Sequence, residues 1–165
     1  MTNIKNIPSN KSALARAIRK FFEHRALWMY FLLDEAQKKG LNGKDFAPQA
    51  IRRCGLYQGG PAANKGASTS LKTLKRKLFK FPGKLVFEMK FLRCTDDAFD
   101  VDFHYCPLVN AWLMQGCSDD EISAMCDFAM CGDRGIAEVF GCELDLPKTI
   151  ARGDDRCSIR FKRKK

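Results

Sequence analysis

The chain has 165 residues, 45% hydrophobic and 29% charged, with eight cysteines and a formal net charge of +10. That length suits one domain spanning 1–165, in which folding buries about 70% of the unfolded surface, so no disulfide staples are needed. The longest apolar run, Ala26 to Leu33, is too short to cross a bilayer, and the composition excludes a disordered tail or a disulfide-dense mini-protein. The polar opening Met1–Asn10 has no apolar core of a signal peptide, so a cytoplasmic location with reduced thiols is expected.

Charge is unevenly spread. Residues 1–93 carry 20 Lys and Arg against 5 Asp and Glu, a balance of +15, whereas residues 94–165 carry 9 against 14, a balance of −5. Such asymmetry marks either a nucleic-acid face or two halves, or two subunits, that attract each other.

From Asn10 to Lys39 the residues Leu14, Ile18, Phe21, Trp28 and Leu32 recur at helical spacing, which predicts a long helix burying that stripe. A short second helix is expected over Asp45–Arg53. The stretch 55–66, rich in glycine, reads as a loop and a candidate lid carrying Tyr57. Leu71, Leu74 and Leu78 predict a third helix over Ser70–Lys80, with lysines on its wet side, stopped by Pro82-Gly83. Alternation over Leu85–Cys94 and Phe99–Phe103, with a turn at Thr95–Ala98, predicts an antiparallel hairpin.

Cys106-Pro107 opens a helix that ends near Gly116. Ser118 to Glu121 forms a capping box that starts another, which Gly132, Gly135 and Gly141 are expected to break or tilt. Two further strands are expected over Cys142–Ile150 and Cys157–Lys162. The order gives an α+β fold, with N-terminal helices and two central helices packed on an antiparallel sheet of about four strands.

Standard catalytic motifs are absent: there is no phosphate loop, no dinucleotide fingerprint, no nucleophile elbow and no H-E-x-x-H. A pooled metal set would need His104, Cys106, Cys131 and Cys157 together, and neither metal nor cofactor is expected. His24 reads as a surface or packed ring. Cys106 lies where a strand meets a helix, so the helix dipole would favour its thiolate, with His104 two positions earlier able to move a proton. The competing view is that each cysteine is a small buried hydrophobe. Cys126, Met130 and Asp133 share one helix face, which makes Asp133 a semi-buried carboxylate, either hydrogen-bonded for structure or tuned as a general base.

The stretches HYCPL, CDFAMCGDRGIAEVFG and TIARGDDRCSIRF, over residues 104–161, resemble the L-2-amino-thiazoline-4-carboxylic acid hydrolase family. The resemblance carries Cys106, Asp133, Thr149, Gly153, Asp154 and Cys157, the last four as a T-x-x-x-G-D-x-x-C ending. Two positions depart from the pattern: Cys131 stands one residue closer to Asp133, and Ser158-Ile159 follows the last cysteine. The resemblance implies hydrolytic opening of a small cyclic amidine, 2-amino-thiazoline-4-carboxylate or a relative, in cysteine metabolism. It implies Asp133 as base, Cys106 as nucleophile or polarising thiol and Cys131 and Cys157 as supports. Arg152 would hold the substrate carboxylate, beside Thr149, Asp154 and Tyr57.

Two other functions stay open. A non-catalytic small-molecule-binding or sensor domain on the same scaffold fits the two departures. Nucleic-acid binding through Lys72–Lys84 and the Lys162–Lys165 tail fits the basic half, although that helix lacks the interleaved aromatics of a single-strand platform. A small-molecule substrate is the expected partner, with no membrane and nucleic acid disfavoured, and a homodimer stays open.

Overall fold

A computed structural model describes residues 2–63 and 70–164. Helix α1 (Ala13–Lys38) starts where the Ser12 hydroxyl accepts the Ala15 N–H, and ends in a left-handed Gly40. Then follow α2 (Ala47–Ala63), α3 (Leu71–Leu78) and a single helical turn α4 (Gly83–Val86). The hairpin β1 (Met89–Cys94) and β2 (Ala98–Phe103) leads to α5 (Pro107–Met114) and α6 (Asp119–Val139), and then to β3 (Cys142–Lys148) and β4 (Cys157–Arg163). The strands form one antiparallel sheet in the order β1-β2-β4-β3. Six helices among the described residues pack on it, as expected for α+β.

Four local expectations are overturned. Residues 55–63 are the second half of α2 rather than a loop, and residues 64–66 of the expected lid lie outside the described residues. The glycines serve close helix packing: a Cβ on Gly55 would lie 1.9 Å from the Gly132 carbonyl oxygen, and one on Gly135 would lie 2.4 Å from the Arg52 carbonyl oxygen. α6 runs unbroken through Gly132 and Gly135; Gly135 has no room for a side chain against α2.

The segment expected to begin β1 turns helically at Gly83–Val86 instead. Glu88 takes a left-handed conformation, φ 51°, before the strand starts at Met89. Its carboxylate is why: it accepts the Ser9 and Asn10 N–H groups and the Ser9 hydroxyl, and pairs with Arg19 at 2.8 Å. Those bonds hold the N-terminal segment across the molecule. The fourth correction is the face of α1. It buries Ala15, Arg19 and Ala26, while Leu14, Phe21, Trp28 and Leu32 of the predicted core stripe are exposed.

Two apolar clusters fill the interior. One joins the sheet to α3 and the end of α6, with the rings of Phe79, Phe99 and Phe161 in mutual contact. The other lies between α1, α5 and the start of α6, around Trp112, whose indole N–H donates to the Ala26 carbonyl. Cys157 on β4 touches both clusters. Between them sits a small group of polar atoms.

Candidate functional site

Cys106 is the N-cap residue of α5, and its backbone is gripped from both sides by Asn6: its N–H donates to Asn6 Oδ1 at 2.9 Å, and Asn6 Nδ2 donates to its carbonyl at 2.7 Å. Cys126 and Asp133 come from one face of α6, seven residues apart, as the helical spacing predicts. Cys157 opens β4. Its sulfur accepts the Ile150 N–H at 3.3 Å, a contact made by the 149–157 turn. In that turn Asp154 accepts the Thr149 N–H at 2.8 Å, and Gly153 takes φ 87° to close it. The Thr149 and Asp154 side of the motif thus builds the turn that presents Cys157.

Cys106, Cys126 and Cys157 lie close enough to shift one another's titration, and Cys106 also feels Asp133. All four residues are half-buried. Each is largely enclosed by protein and keeps a minority of its surface in contact with solvent. Burial raises the Asp133 carboxyl to about 6, against an opposing pull from Arg25 on α1 and Arg134. Its own backbone N–H offers that carboxyl a hydrogen bond. A carboxylate of this kind is ionised at neutral pH yet basic enough to take a proton.

The thiols behave differently from the sequence expectation. Burial raises Cys106, and the N–H groups of Val109 and Leu108 at the start of α5 only partly offset it. The helix N-terminus therefore does not hold Cys106 as a thiolate, because desolvation outweighs the dipole. Burial likewise lifts Cys126 well above the usual thiol value and Cys157 to about 12. The cluster holds one tuned carboxyl and three neutral thiols.

Other expected site residues stand apart. Cys131 lies about 140° round α6 from Cys126, with its S–H donating to the Asp127 carbonyl and Arg134 at 3.7 Å. His104 is exposed, with its N–H shared between the Phe87 and Glu88 carbonyls. The pooled set of His104 with three cysteines is not assembled, and among the described residues no group of three His, Cys, Asp or Glu side chains could hold a metal. Tyr57, 83% exposed, points away from α6. Arg152 is at the rim: it feels Cys126 and Cys157 and donates to the Leu146 carbonyl at 2.9 Å.

Two neighbours of this cluster were not expected from the sequence, Arg25 and Asn6. They carry no motif, and only the packing of α1 and of the N-terminal segment brings them in.

Two surface clefts lie elsewhere, one of about 400 Å³ around Thr2 and residues 116–120 and one of about 210 Å³ between α1 and α5. No helix among the described residues is long and apolar enough to cross a membrane.

The order of elements is shared with a solved structure, trafficking protein particle complex subunit 3 from Naegleria fowleri covalently bound to palmitic acid. The likeness has a TM-score of 0.52 and 17% identity, and covers 87% of this chain and 95% of that one. It establishes a common fold. No curated protein matches the chain significantly. The family model described as L-2-amino-thiazoline-4-carboxylic acid hydrolase matches residues 19–161, which extends the resemblance from the 104–161 motifs back into α1. A match running from Arg19 to Phe161 takes in Arg25, Cys106, Cys126, Asp133 and Cys157 alike, and the chain belongs to the L-2-amino-thiazoline-4-carboxylic acid hydrolase family.

Proposed function

We propose that the protein hydrolyses a small cyclic amidine, 2-amino-thiazoline-4-carboxylate or a close relative, with Asp133 as the general base. The observation that carries this reading is the Asp133 carboxyl, raised to about 6 by burial and still reached by solvent beside three thiols. Water attacks the ring carbon bonded to two nitrogens and sulfur, and Asp133 takes the water proton as the new carbon–oxygen bond forms. The C=N π pair moves to nitrogen as water adds, and the hydroxyl proton passes to that nitrogen as the carbonyl forms. The carbon–sulfur bond breaks with its electron pair leaving on sulfur, and the proton held by Asp133 is returned to the sulfur. The product is an open-chain urea bearing a thiol, and the atoms balance with one water added.

Cys106, neutral in this environment, acts as an S–H donor toward the ring and not as a nucleophile. Arg152 at the rim and Arg25 on α1 are the cations available to the substrate carboxylate. Family membership supports a hydrolase. Incubation with 2-amino-thiazoline-4-carboxylate should abolish the ultraviolet absorbance of the ring and release one free thiol per molecule. An unchanged spectrum with the folded protein contradicts the activity.

The raised thiols favour a second reading, a binding or sensor domain, since none of the three is poised to attack. Saturable binding of the thiazoline without turnover would select it.

A further inference from the structure

We propose that α1 pairs antiparallel with α1 of a second copy of this chain, through Leu14, Phe21, Trp28, Phe31 and Leu32. This helix is apolar on two sides. One side, around Ala15, Arg19 and Ala26, packs on the rest of the molecule. The exposed stripe lies roughly 150° away at 100° per residue. Phe21 is 76% and Trp28 62% exposed, and no described residue covers them. A solvated helix face ordinarily carries charge; a run of aromatics there calls for a partner.

The size of the stripe matches a dimer. Its five residues expose about 600 Å² of apolar surface, most of the ~800 Å² that each partner contributes to a stable interface. The cleft of about 210 Å³ beside it, with exposed Met114 on its lip, continues the same surface. Trp28 is also prepared for burial: its indole N–H already donates to His24 Nε2 at 3.0 Å, so covering it strands no donor.

Register of the large side chains suits the antiparallel arrangement. A two-fold axis near residues 24–25 sets Phe21 of each copy against Trp28 of the other, and Ile18 against Phe31.

Sedimentation velocity across a dilution series should show a species of twice 18.7 kDa that dissociates reversibly. Phe21→Glu and Trp28→Glu should each weaken association by roughly 30-fold or more. Melting of the monomer should be unchanged, because both side chains are exposed. An 18.7 kDa species at every concentration overturns the proposal, as does a dimer indifferent to both Phe21→Glu and Trp28→Glu. A monomer that instead co-sediments with phosphatidylserine vesicles also overturns it, and assigns the face to a membrane.

Discussion

Gly55 on α2 and Gly132 on α6 meet backbone to backbone, so closely that a methyl group on Gly55 would lie 1.9 Å from the Gly132 carbonyl oxygen. The contact has no room for a side chain at position 55. It fixes the crossing of the two helices, and with it the orientation in which α6 presents Asp133.

Gly55→Ala should therefore force α2 away from α6 and cost about 1–3 kcal/mol or more, lowering the melting temperature by several degrees. Gly60 on the same helix has nothing among the described residues within 4 Å of an added Cβ. Gly60→Ala should leave stability unchanged or raise it by about 0.4–1 kcal/mol, through the lost freedom of the unfolded chain. Calorimetry of the two variants checks the contact.

The second prediction concerns Glu88, which joins the N-terminal segment to α1. Burial raises its carboxyl, but hydrogen bonds from Ser9, Asn10 and Arg19 outweigh burial and hold it below the ordinary glutamate value. A lowered folded value means stability that is complete above the ordinary glutamate range and is lost as pH falls through the folded value. Glu88→Gln leaves Arg19, only 4% exposed, without its counter-charge. The cost should be about 3–5 kcal/mol at neutral pH, with a shallower loss of stability on acidification than in the parent. Melting measured from pH 7 down to pH 3 tests both.

Much of this architecture is legible from residue order. The capping box at Ser118, Pro107 after a strand and the alternation of Phe99, Val101 and Phe103 each encode their element locally, and all appear as expected. What failed was long-range. Glycine at 55 and 59 looks like a loop until α6 supplies glycines of its own to pack against. Periodicity marks Leu14, Phe21, Trp28 and Leu32 as a face, but cannot say whether the face meets its own chain. The cluster is legible by half: helix spacing gives Cys126 with Asp133, and motif likeness gives Cys106 and Cys157. The protonation of the thiols depends on burial, which no spacing reports.

That protonation gives the third prediction. At pH 7.5 iodoacetamide should modify exposed Cys54 well before Cys106, Cys126 or Cys157, whose thiolate fractions burial suppresses. Peptide mapping over a time course reads the order. Early labelling of Cys106 would mean that the helix N-terminus prevails over desolvation, and would return Cys106 to the role of nucleophile.

Asp133 should also show in stability, with the opposite sign to Glu88. Its folded value of about 6 lies above the ordinary 3.8, so the fold prefers the protonated form. Stability from this group is present at low pH and lost as pH rises toward and through 6. At neutral pH the penalty is at most about 3 kcal/mol, reduced by the solvent that reaches the carboxyl. Asp133→Asn should accordingly melt no lower than the parent at pH 7.5, and the gap should close near pH 4.

The most direct measurement is the pH profile of kcat/KM for opening of 2-amino-thiazoline-4-carboxylate by the parent and by Asp133→Asn. A base titrating at about 6 predicts a rate that rises with pH and levels off above that value. In Asp133→Asn the rate should fall by roughly 10²–10⁴-fold and lose that rise, with the fold intact. A stable Asp133→Asn protein that keeps the parent's rate and the parent's pH profile would contradict the account at its centre.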